Sequence, residues 1–346
     1  MRSPKLAIVL EYIQANPSSS SKAIHDGVDL DIGYATVKRL LSQLVAEGQV
    51  SITGQGRGTR YVPGVQSELF APVDLEHYFS REIDERDIAS SFNRALLVDV
   101  LPHTALFSGH EQQYLQALQD RYTRNISQLS EAQYQAELER LAIDLSWKSS
   151  QIEGNTYSLL ETERLLKEKE TAEGKPKDDA TMLLNHKESL DFIIANSGFT
   201  SPLSVASIED IHSLLMKDLG VDRNIRKRKV GITGTNYVPL DNEFQIREAL
   251  ELTCQLVNGK TNVFEKALLV LVLLSYIQAF DDGNKRTARI MSNTVLIDFK
   301  CCPLSFRTVS AIDYKKAMLL FYEQNNVSAF KQIFINQFEF AVNTYF

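Results

Sequence analysis

The chain has 346 residues, 44% hydrophobic and 23% charged, a balance ordinary for a folded globular protein and unlike a disordered one. A single hydrophobic core rarely fills so long a chain, so two or three packing units are expected. The net charge of −7 excludes a uniformly basic nucleic-acid binder; any DNA contact must come from a local basic patch.

The first 65 residues or so form a pattern of their own. Lys5 to Ala15 reads as a short amphipathic helix, and the serine run Ser18 to Ser21 caps a second, Lys22 to Gly27. A third, Tyr34 to Glu47, sets Val37, Leu40, Leu41, Leu44 and Val45 at helical spacing and stops at Gly48. Val50 to Thr53 and Thr59 to Val62 then flank a glycine-rich turn, the pattern of a β-hairpin. Three helices followed by a hairpin resemble the winged helix-turn-helix, whose third helix enters the major groove while the hairpin follows the DNA backbone. The resemblance assigns DNA contacts to Tyr34, Thr36, Lys38 and Arg39 near the start of that helix, and to Arg57 and Arg60 on the wing. Winged helices also serve as protein-interaction modules, and so few basic residues leave that alternative open.

Pro63-Gly64 closes this unit, and residues 66–110 read as a packed helical connector interrupted by Pro72 and Pro102. Residues 111–346 are helical in pattern. The expected helices are Glu111 to Ile126, Glu131 to Ile152, Glu161 to Thr171, Ala180 to Ala195, Ile208 to Leu219 and Asn242 to Leu256. Val263 to Ala279 and Lys285 to Phe299 follow, and helices such as Ala311 to Asn325 finish the chain. Lys229 to Pro239 is β-like. The fold class is therefore mainly α, with a small β-hairpin, behind an α+β winged-helix module. The longest apolar run, Ala267 to Leu274, falls far short of the ~18 residues of a membrane span, and the N-terminus lacks the features of a signal peptide. Cys254, Cys301 and Cys302 offer neither a disulfide framework nor zinc spacing. These features give the expectation of a cytoplasmic protein without a membrane partner.

The chemistry concentrates at one helix junction. The helix from Phe264 to Phe280 is apolar almost all round, as a buried central helix must be. It runs into Asp281-Asp-Gly-Asn-Lys-Arg-Thr-Ala-Arg289, which starts another helix. A helix N-terminus presents unpaired N–H groups and partial positive charge, a natural phosphate seat. Gly283 lets the backbone approach closely, Arg286 and Arg289 share a face, and Asp282 can hold a magnesium ion bridging phosphates. An Asp-Gly-Asn turn between helices is also common, so these residues alone leave a plain turn open.

The stretch Gln278 to Arg289 resembles the signature of the Fic (Fido) family, His-x-Phe-x-[Asp/Glu]-Gly-Asn-[Gly/Lys]-Arg-x-x-Arg, at every position but the first. Ser149-Ser-Gln-Ile-Glu153-Gly154, ending a helix over about 131–155, is similar to the family's inhibitory motif [Ser/Thr]-x-x-x-Glu-[Gly/Asn]. Residues 226–240, with Arg226, Val230, Ile232 and Tyr237, are similar to its flap, a β-hairpin lining a target-peptide groove. The three matches stand in the family's order within residues 111–346.

The resemblance implies a helical domain that transfers AMP from ATP to a hydroxyl of a protein target. Asp282 would coordinate Mg2+, and Asn284 with the backbone around Gly283 would form the anion hole. Lys285, Arg286 and Arg289 would line the nucleotide's phosphates, while Glu153, flanked by Ser149 and Gly154, would reach Arg289 and block the site. Three departures stand out. The catalytic His is Gln278, a carboxamide that cannot serve as general base, a contribution of ~10²–10⁴-fold. Lys285 stands where the common residue is Gly, a substitution found in members that transfer phosphate instead. Ala288 replaces another frequent Gly. Two readings follow: an ATP-dependent AMP-transferring enzyme with a degenerate base, or a weak or inactive relative that senses nucleotide and binds DNA through residues 1–65. The protein target is not specified, and a homodimer is left open. The basic run Arg223 to Lys229 lies just before the flap, a place that favours a phosphate role or a solvated face over a nucleic-acid patch.

Overall fold

The computed structural model describes residues 4–46 and 48–346; Glu47, where the sequence pattern ends the third helix, lies outside the described residues. The chain divides into two compact units, Met1–Val73 with Gln324–Ser328, and Asp74–Glu323 with Ala329–Phe346.

The first unit is a winged-helix arrangement. Helices α1 (Pro4–Ala15), α2 (Ser21–Gly27) and α3 (Tyr34–Ala46) precede strands β1 (Val50–Thr53) and β2 (Arg60–Pro63) and a short helix α4 (Val65–Phe70). Helix α2 starts where the Ser20 side chain accepts the N–H of Ala23. Leu6, Val9, Ile13, Ile24, Val37, Leu41, Leu44 and Val50 form the core, so α1, α2, α3 and the first strand contribute to it. The strands pair antiparallel, Val50 opposite Pro63 and Thr53 opposite Arg60. Gly54 turns the wing tip at φ +74°, where a Cβ would lie 2.4 Å from the Gly58 carbonyl oxygen. The returning segment 324–328 closes on α4: Val327 N–H donates to Leu69 O at 2.8 Å, and the Asn326 amide donates to the carbonyls of Glu68 and Ala71.

The second unit comprises α5 (Leu75–Ser80), α6 (Gly109–Ile126), α7 (Glu131–Ile152), α8 (Leu159–Glu168), α9 (Lys177–Ala195) and α10 (Val205–Leu215). It continues with α11 (Glu243–Gly259), α12 (Val263–Ile277), α13 (Asn284–Asp298), α14 (Ala311–Gln324) and α15 (Ser328–Thr344). Ser108, Ser130, Ser158 and Ser204 start α6, α7, α8 and α10 with reciprocal capping boxes. The Ser158 box moves the start of α8 ahead of Glu161, and Lys169, left-handed at φ 62°, stops the helix before Thr171. Helix α10 stops at Leu215 because Asp218 (φ 59°) and Gly220 (φ 69°) reverse the chain. Every residue of α12 from Ala267 to Ile277 is buried, as an all-apolar surface requires. It packs along α11 and α13, and α13 in turn touches α7, α9 and α10.

The hairpin expected within residues 226–240 is not formed. Among the described residues the only sheet is β1–β2, and Val238 makes a single parallel bridge to Ser91. Side chains have taken the backbone groups a ladder would use. Arg86 Nη2 donates to Gly234 O at 2.7 Å, and Arg226 donates to the carbonyls of Arg228 and Leu240. Gly231, Gly234 and Pro239 also interrupt any strand. Among the described residues no helix is long and apolar enough to cross a membrane, and Cys254, Cys301 and Cys302 are buried free thiols.

Candidate functional site

Helix α12 ends at Gln278, left-handed at φ 52° and ψ 57°, and α13 begins behind Gly283 at φ +80°. A Cβ on Gly283 would lie 2.6 Å from Met216 Sδ, so close packing and backbone conformation both demand glycine. Between them the loop is held by Asn284, whose Nδ2 donates to Phe280 O at 2.7 Å and whose Oδ1 accepts Phe280 N–H at 2.9 Å. The Asn284 amide is thus engaged at both ends within the loop. His212 of α10 supports the loop from the other side. Its ring stacks on Phe280 at 3.6 Å between centroids, and its Nε2 lies 2.9 Å from Asp282 O. A lone histidine on an apolar helix carries no sequence signal for this role.

The first turn of α13 holds no acidic residue but does carry Lys285 and Arg286, the reverse of the usual preference at a positive helix end. The balancing anions come from elsewhere. Asp282 Oδ2 accepts from Arg286 Nη2 at 2.9 Å, and Asp282 Oδ1 accepts Gly283 N–H at 2.6 Å. Glu153, at the end of α7, supplies the second carboxylate: Arg289 Nη2 donates to its Oε1 and Lys285 Nζ to its Oε2, each at 2.8 Å. Burial pushes the Glu153 carboxyl up, but Arg289 and Lys285 outweigh that and hold it at about 2. Gly154, at φ +99°, turns the chain away immediately afterwards. Arg289 is fully buried. Its Nε donates to Ser149 Oγ at 2.8 Å, its Nη2 to Ser149 O at 2.9 Å, and its guanidinium lies over the Tyr314 ring. His186 of α9, wholly buried, is pushed well below the ordinary histidine range by burial and by Arg289 and Arg286.

Part of this network borders a cleft of about 430 Å³. Glu153, Gln278, Asp282, Lys285 and Arg286 line one side, and Lys315, Met318, Leu319 and Tyr322 of α14 line another. Those four follow the i, i+3, i+4, i+7 spacing of any core-facing helix, so sequence reasoning passed over them. Ser149 and Arg289 do not line the cleft, because Glu153 stands in front of them. The Gln278 amide donates to Ser275 O at 2.6 Å and Tyr322 Oη at 3.3 Å. Of the residues expected to line a groove, Ile232 borders the cleft beside Gly231 and Thr233, while Val230 is half-buried. Arg226 and Tyr237 instead belong to the interior. Arg226 Nε donates to Gln278 O at 2.6 Å, and Tyr237 stacks on Tyr276 while donating to its carbonyl. The basic run before this segment is largely paired: Lys227 with Glu243, Arg228 with Asp281, and Lys229 with Asp241.

The cleft's chemistry suits an anion bearing several oxygens. A magnesium ion carried by a polyphosphate needs one or two protein carboxylates. Asp282, lining the cleft with its side chain 63% exposed, meets that need. In the first unit Lys38, Arg39, Arg57 and Arg60 are exposed and Thr36 is half-buried. Tyr34 hydrogen-bonds Ser21 Oγ at 2.7 Å and lies under the Lys38 ammonium, while the Arg60 guanidinium donates to the wing's own carbonyls.

Comparison with known proteins agrees with this geometry. The Fic/DOC family matches residues 202–296, and the penicillinase repressor family matches residues 3–97. A relative named protein adenylyltransferase Fic, from Nematostella vectensis, is 27% identical over 174 residues, which span 49% of this chain and 40% of that protein. Among solved structures, Fic-1 from C. elegans aligns over 68% of this chain and 72% of its own, at 18% identity and a TM-score of 0.59. A Fic domain containing signaling protein from Bacteroides thetaiotaomicron aligns over 66% of this chain and 94% of its own, at 18% identity and a TM-score of 0.56. At such identities these two likenesses establish the fold alone. The chain carries a Fic/DOC-family domain at residues 202–296, behind an N-terminal segment of the penicillinase repressor family.

Proposed function

We propose that this cleft binds ATP with magnesium and transfers AMP to a hydroxyl of a protein target, slowly, under restraint by Glu153. The observation that carries the reading is the Glu153 carboxylate held by two cations, 2.8 Å from each, at the N-terminus of α13. An internal anion there marks a seat whose natural occupant is also anionic. In this reading the backbone N–H groups that follow Gly283 and the Arg286 guanidinium hold phosphate oxygens, and Asn284 keeps the turn in shape. Asp282 would hold the magnesium ion, which neutralises charge across the phosphates. The target hydroxyl oxygen bonds to the α-phosphorus as the bond to the β-phosphate oxygen breaks, and pyrophosphate leaves. Gln278 can orient that hydroxyl but cannot take its proton, which passes to solvent water, so the step lacks a base worth ~10²–10⁴-fold. The Nematostella vectensis relative's name supports AMP as the group transferred.

A second reading has its own support. The Gln278 amide is already occupied by Ser275 and Tyr322, and the N-terminal segment matches a repressor family. In that reading the cleft senses ATP, and residues 1–65 bind DNA through Tyr34, Thr36, Lys38, Arg39, Arg57 and Arg60. One experiment separates them. The full chain with Glu153→Gly is incubated with α- or γ-labelled ATP, magnesium and a protein extract. Protein labelled from the α-phosphate supports AMP transfer, and label from the γ-phosphate alone means phosphate transfer. ATP binding without label of either kind removes the enzyme reading in favour of the sensor.

A further inference from the structure

We infer that Lys285 acts on both sides of the restraint: it clamps Glu153 in the resting protein and, once Glu153 leaves, joins Arg289 in holding the nucleotide's terminal phosphate. The inference rests on the reading of the cleft as an ATP site and deepens it by naming how that site is regulated.

The Glu153 carboxylate is gripped at both oxygens, by Arg289 from the buried side and by Lys285 from the cleft side. These are charge-assisted contacts with partners largely shielded from water: Arg289 is fully buried, and the Glu153 and Lys285 side chains are 16% and 26% exposed. The turn bearing Glu153 is itself closed by backbone hydrogen bonds from Glu153 and Asn155 to Ser150 O, each 3.0 Å, so the carboxylate is presented on a firm support. A second observation points to an external anion at the same place. Arg286 lines the cleft with its side chain 2% exposed, yet its Nε and Nη1 have no partner among the described residues. Buried guanidinium N–H groups left this way are costly unless an acceptor arrives. Glu153 satisfies only part of what three cations within five residues of α13 can donate, whereas a phosphate brings more oxygens to the same nitrogens.

Lys285 therefore has two opposing effects, which the choice of background and of nucleotide separates. With Glu153 present, removing the ammonium loosens the clamp and eases nucleotide entry. With Glu153 absent, removing it strips a ligand from the terminal phosphate. ADP lacks that phosphate and feels only the first effect.

The test measures ATP and ADP binding, with magnesium, to four full-length proteins: wild type, Lys285→Met, Glu153→Gly and the double variant. Methionine keeps the apolar stem and deletes the charge. With Glu153 present, Lys285→Met should tighten ADP binding several-fold and ATP binding by less, because ATP also loses its terminal-phosphate contact. In the Glu153→Gly background it should weaken ATP binding ~10-fold, the size of one charge-assisted contact, and leave ADP binding nearly unchanged. Lys285→Arg, measured beside it, retains a donor and should keep most of the ATP affinity. An ADP affinity unchanged by Lys285→Met in the presence of Glu153 overturns the clamp, and equal weakening of ATP and ADP in the Glu153→Gly background overturns the terminal-phosphate contact. Failure of Glu153→Gly, and of the gentler Glu153→Gln, to bind ATP at all while thermal unfolding stays cooperative overturns the ATP-site reading itself.

Discussion

At Gln278 the backbone turns left-handed and the side-chain amide donates to Ser275 and Tyr322, so that in the proposed AMP transfer a target hydroxyl would face a carboxamide. In the Glu153→Gly background, Gln278→His should raise AMP transfer by ~10²-fold with little change in ATP affinity, because only proton removal is restored. Initial rates with α-labelled ATP, alongside an equilibrium titration, check this; tighter binding without a faster rate would assign Gln278 to nucleotide binding. Glu153 gives a second prediction. Its carboxyl sits at about 2 in the folded chain against an ordinary 4.5, so its stabilisation is complete above about 4.5 and is lost as pH falls through 2. Wild type should exceed Glu153→Gln in unfolding free energy by on the order of 3 kcal/mol near neutrality, the gap shrinking between pH 4.5 and 2. Denaturant titrations across that range test it, and a gap independent of pH would mean that the carboxylate's charge is not what matters. The missing histidine was legible because a long motif surrounds it. The Lys285–Glu153 pair was not, since 132 positions separate the partners and only packing of α7 on α13 brings them together.

Helix α13 shows how a junction sets a site. Its N-cap is a glycine with no side chain to offer, so the loop depends on Asn284 and His212 to hold its shape. Gly283→Ala combines a φ of +80° with a Cβ 2.6 Å from Met216 Sδ. It should cost about 1–3 kcal/mol of stability and weaken ATP binding together, whereas Ala288→Gly should affect stability by ~1 kcal/mol with ATP binding intact. Thermal melts with and without ATP distinguish the two. The start of α7 at Glu131 was legible behind Ser130, whereas the capping boxes at Ser108, Ser158 and Ser204 start α6, α8 and α10 ahead of the residues that periodicity marked. The segment 226–240 was not legible, because its β-like pattern says nothing of Arg86 and Arg226, whose guanidinium groups claim its carbonyls. Long-range side chains overrode local propensity there.

For the whole molecule, a net charge of −7 means that DNA binding, if it belongs to the first unit, rests on very few contacts. Duplex DNA should be retained at low salt, and Arg57→Ala with Arg60→Ala should reduce the slope of log affinity against log salt by about 2. Fluorescence anisotropy across a salt series measures this. No retention of duplex by the wild-type chain at low salt would remove the DNA reading and leave the winged helix as a protein-docking module.

The sequence by itself determined the helical class, the winged-helix pattern, the buried central helix and the signature loop. Each of these rests on local periodicity, caps or a contiguous motif, which neighbouring residues carry without help from the rest of the chain. The tertiary structure alone decided that Glu153 is held from two sides, that α14 forms the far wall of the cleft, and that residues 226–240 run as a side-chain-pinned loop. Those outcomes depend on which buried donors find which acceptors once the helices pack, and sequence spacing does not encode that choice.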